Sequence, residues 1–72
     1  SAVTFGTVNA IERLTGYEPE VQMQDSGWFS VRISESLQEE VRDQVNLLLE
    51  AMVVMLETIQ DSYGDYVALL NE

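Results

Sequence analysis

Apolar and polar residues alternate at period two between residues 20 and 34, on either side of Asp25-Ser26-Gly27. That period belongs to a strand, not to a helix. The three-residue break is turn chemistry, with Gly27 placed to take the positive φ that closes a short hairpin loop. If Gln24 opposes Trp28, then Met23 faces Phe29, Val21 faces Val31 and Glu20 faces Arg32. One face then carries Val21, Met23, Phe29, Val31 and Ile33. The other carries Glu20, Gln22, Gln24, Trp28, Ser30 and Arg32, with an ion pair at its end. Turn chemistry and patterning agree on this register. An isolated hairpin is marginal in water, so its apolar face needs a helix laid against it.

The flanking segments supply helices. Upstream, Thr4 or Thr7 can cap a helix over residues 4–15, with Val8, Ile11 and Leu14 along one side. Gly16 suits the left-handed position just past a helix end, and Pro19 blocks continuation. Downstream, Ser36 and Glu39 stand at capping-box spacing. Leu37, Val41, Val45, Leu48, Met52, Met55 and Ile59 then recur every three or four residues, with Leu49, Val53 and Leu56 as a second row. Gly64 is the expected break, and the segment Tyr63–Leu70 would form a last turn or a short separate helix.

The sequence therefore predicts one small α+β domain over residues 1–72, ordered helix, strand, strand, long amphipathic helix. A chain of 72 residues buries only about 60% of the surface its unfolded form exposes. The long helix has more apolar surface than five strand residues and a short helix can hide, and around Leu47–Leu56 only Glu50 interrupts it. Self-association is the simplest resolution, with Val45, Leu48, Met52, Met55 and Ile59 as its residues and a dimer as the expected state.

Thirteen acids stand against three bases, for a net charge of −10. Phosphate backbones and anionic membranes would be repelled, which speaks against direct nucleic-acid binding and membrane attachment. A partner protein with a basic surface would be attracted. The acids gather on one side of the long helix, with Glu39, Asp43, Glu50, Glu57 and Asp61 at the centre. They read either as a solvated face or as a row imitating DNA phosphates. Trp28, beside the loop tip and Arg32, reads as an interface anchor or as a packing contact with that arginine.

There is no cysteine and no histidine. That leaves no thiolate and no imidazole base or ligand among these residues. No Gly-rich phosphate loop exists. Asp61-Ser62-Tyr63-Gly64-Asp65 resembles part of a calcium loop, but its glycine comes two positions early. The expectation is a protein that is not an enzyme and needs no cofactor or metal. With neither a targeting segment nor a run long enough to span a bilayer, the expected location is cytoplasmic. Ser1 could be a tag remnant or the residue left after Met removal.

One resemblance adds to this. Ala10-Ile11-Glu12-Arg13-Leu14-Thr15-Gly16-Tyr17-Glu18, then Val21, Gly27-Trp28, Val31 and Glu35, resembles the start of the gas vesicle protein O family. The similarity covers about residues 8–35, and the acidic second half departs from that family's further strands and Arg-rich end. It implies an accessory role in gas vesicle assembly.

The functional expectation is thus an acidic adaptor or inhibitor docking on a basic surface, with nucleic-acid mimicry as one version of that docking. A structural assembly accessory stands as the alternative, and a metal-dependent activity of the acidic helix is a weaker third.

Overall fold

A computed structural model of the chain describes residues 2–25 and 29–63. The elements follow the expected order: α1 (Ala2–Thr15), β1 (Glu20–Met23), β2 (Phe29–Arg32) and α2 (Glu39–Tyr63). The fold is α+β, two helices with an antiparallel hairpin between them in sequence. The strand register is Glu20↔Arg32, Val21↔Val31, Gln22↔Ser30 and Met23↔Phe29, as the alternation predicts. Val21, Phe29, Val31 and Ile33 are half-buried, while Glu20, Gln22, Gln24 and Arg32 are exposed. Met23, at the far end of the apolar face, remains 48% exposed. Gly27, Trp28, Gly64 and the rest of the Tyr63–Leu70 segment beyond Tyr63 lie outside the described residues.

Helix α1 begins at Ala2, two residues earlier than expected, and runs through both candidate caps. The reason is visible at Thr7. Its hydroxyl donates to the Val3 carbonyl at 2.7 Å, a bond back into the preceding turn. A hydroxyl used this way sits inside a helix and does not cap one. The C-terminal end agrees with the sequence. Gly16 takes φ 77°, and its amide donates to the Glu12 carbonyl at 3.0 Å. Thr15 closes the same end twice: its hydroxyl donates to the Ile11 carbonyl and accepts from the Tyr17 amide.

The expected capping box at the start of α2 does not form. The first helical bond runs from the Arg42 amide to the Gln38 carbonyl, so Gln38 occupies the cap position. The Ser36 hydroxyl instead shares a hydrogen bond with the Ser34 hydroxyl at 2.8 Å. The intervening loop is held by longer-range bonds. The Ser34 amide donates to the Tyr17 hydroxyl at 2.8 Å, and the Arg42 guanidinium donates to the carbonyls of Glu35 and Leu37. These bonds tie the exit of β2 both to the exit of α1 and to the first turn of α2.

The two helices run antiparallel. Ala2 and Val3 share a groove with Met55, while Leu14 and Thr15 share one with Gln44 and Leu47. Between these ends sits the core, where Ile11 and Val45 are completely buried and Thr7 nearly so. Pro19, in the link to β1, is buried as well.

Candidate functional surfaces

Each expected site residue has a place in this frame. Glu39, Asp43, Glu50, Glu57 and Asp61 are all exposed along α2. At 3.6 residues per turn their spacings keep them on one side of the helix. Among the described residues, no three acidic side chains converge as a metal site would require. Of the residues expected to mediate self-association, Val45 is consumed in the core of the single chain. Leu48 and Met52 are half-buried, and Met55 and Ile59 are 43% and 37% exposed. Trp28 is outside the described residues.

Open grooves border the helices among the described residues. The first, about 340 Å³, lies between them and is lined by small and apolar side chains from Ala2 to Ala10 on α1 and from Leu48 to Met55 on α2. A second, about 370 Å³, lies between α1 and the start of β1. Phe5, Val8, Pro19 and Val21 give it an apolar surface, and Asn9, Glu12 and Glu18 complete its lining. A third, about 200 Å³, joins Leu14 to Leu47. None of them brings together a nucleophile and a base, since the chain has no thiol and no imidazole to bring.

Comparison with known proteins identifies what such a frame belongs to. Residues 1–68 match the family described as Cysteine protease Prp. The ribosomal processing cysteine protease Prp of Bacillus subtilis (strain 168) is 46% identical over 66 residues, covering 90% of this chain and 59% of the relative. The protein of the same name from Staphylococcus aureus (strain Mu50 / ATCC 700699) is 37% identical over 70 residues, covering 96% of this chain and 62% of the relative. The chain thus spans about six tenths of the length of these curated relatives. No solved structure matches it.

These matches correct four expectations. The resemblance to the gas vesicle protein O family does not hold, because the protease family matches the same stretch and continues through the acidic helix. Short helix-end and hairpin signals, Leu-Thr-Gly and Gly-Trp, report local backbone geometry that unrelated folds share. The adaptor or inhibitor reading, with its nucleic-acid mimicry, is displaced by a family and relatives named for proteolysis. So is the assembly accessory. The expectation of no enzyme fails for a definite reason. Absence of Cys and His describes these 72 residues, whereas the relatives include a further part that these residues do not span. No periodicity or spacing within the chain could have signalled a thiol it does not contain. On the match over nearly its whole length, the chain belongs to the Prp cysteine protease family.

Proposed function

We propose that this chain is the helix-and-hairpin frame of a thiol protease that processes ribosomal proteins. The observation that carries the reading is the family match across residues 1–68. Thiolate chemistry needs a cysteine activated by a base, and neither is present here. In this reading the nucleophile and its base come from residues corresponding to the part of the relatives outside the match. The chain contributes rigid support: α1 and α2 clamp each other through Ile11 and Val45, and the loop between β2 and α2 is fixed by Tyr17 and Arg42.

Substrate charge fits the surface. Proteins that neutralise RNA phosphates are rich in Lys and Arg. A net charge of −10, with the exposed row Glu39, Asp43, Glu50, Glu57 and Asp61, would steer such a partner and speed its encounter at low salt. A ribosomal substrate favours a cytoplasmic location; separately, among the described residues no helix is long and apolar enough to cross a membrane. The reading also includes a second copy packed on α2, supported by the exposure of Met55 and Ile59 beside half-buried Leu48 and Met52.

The test is cleavage. The complete gene product, incubated with purified ribosomal proteins, should cut at least one of them at a defined bond and lose that activity to a thiol alkylating reagent. The 72-residue chain alone should cut none. Failure of the complete product to cleave any ribosomal protein, or cleavage indifferent to alkylation, would overturn the proposal.

A further inference from the structure

We draw no further inference here: the strongest candidate, the apolar groove between α1 and the outer edge of β1 with Phe5 on its wall, is seen in a chain that spans about six tenths of its curated relatives, and nothing in the structure shows what covers it.

Discussion

The two halves of α2 follow one apolar period and meet different environments. In the first half Val45 is completely buried and Val41, Leu48 and Leu49 are half-buried, while Leu47, off the stripe, is 67% exposed. In the second half Met52 and Leu56 are half-buried, but Val53, Met55 and Ile59 are 49%, 43% and 37% exposed and no residue is completely buried among the described ones. The difference follows from length. Helix α1 has 14 residues and α2 has 25, so they extend about 21 Å and about 37 Å. Running antiparallel, α1 shares grooves with α2 from Gln44 to Met55, and the longer helix continues to Tyr63. A periodic stripe states which side of a helix prefers to leave water. It does not state whether the same chain has anything to lay over it.

The sharpest way to break this contrast is a charge at the centre of the covered half. Val45→Asp places an unpaired carboxylate where no water reaches, and the protein should fail to fold. Circular dichroism showing native helix content in that variant would mean that the two helices do not clamp there. Ile11→Ala tests the same contact from α1. Truncating a wholly buried Ile should cost about 2–5 kcal/mol in chemical denaturation. A loss below about 1 kcal/mol would place Ile11 at a surface and remove the core from between the helices.

The strand register was legible because period-two patterning and the opposite charges of Glu20 and Arg32 agreed. Ser26 and Gly27 of the expected turn lie outside the described residues, and Glu20 and Arg32 pair in register without an ion pair among the described residues. The observed register repeats the expected one at all four pairs, from Glu20↔Arg32 to Met23↔Phe29. Helix ends were legible where glycine fixed them, as at Gly16, and misread where hydroxyls did. Thr7 and Ser36 have capping chemistry, but a hydroxyl can equally bond backward along a helix or to another hydroxyl, and both did so. The catalytic class was not legible at all. A cysteine protease works through a thiol and these residues have none, so local chemistry pointed to binding while comparison of the whole stretch pointed to a family named for proteolysis.

Two smaller perturbations sharpen how the covered half is connected to the hairpin. Gly16 has open space around the position of a Cβ, so a substitution there meets only backbone strain. Gly16→Ala should lose about 1–2 kcal/mol, the cost of a left-handed residue with a side chain, and Gly16→Asn should recover part of it. Equal stability of all three would show that the α1 exit relaxes out of its positive φ. Tyr17→Phe deletes the oxygen that accepts from the Ser34 amide. Water can replace that partner at an exposed site, so the loss should be about 0.5–1.5 kcal/mol. Hydrogen exchange at the Ser34 amide should accelerate in step; unchanged exchange would mean the bond is not populated in solution.

The smallest expected effect belongs to the uncovered half, and it is the most informative about what covers it. Val54 is 58% exposed, next to Met55 at the end of the stretch that shares grooves with α1. If α2 is bare there, Val54→Asp removes a methyl pair from water and adds one more acid to a chain already at −10. Stability should then change by less than about 0.5 kcal/mol, and sedimentation equilibrium should give the same mass as before. A second copy seated over Met55 and Ile59 predicts otherwise. Val54 stands on the acidic side of α2, about 100° around the helix from Met55 and about 140° from Ile59. An added carboxylate there acts on such a pair by repulsion between copies, and the mass should fall from near twice 8.1 kDa to near 8.1 kDa as concentration drops. Ile59→Ala then gives an independent reading, because it trims apolar contact without adding charge. Loss of the larger species in both variants would assign the exposed half of α2 to an interface between copies. Loss in the Asp variant alone would point to charge repulsion, with the apolar stripe uninvolved.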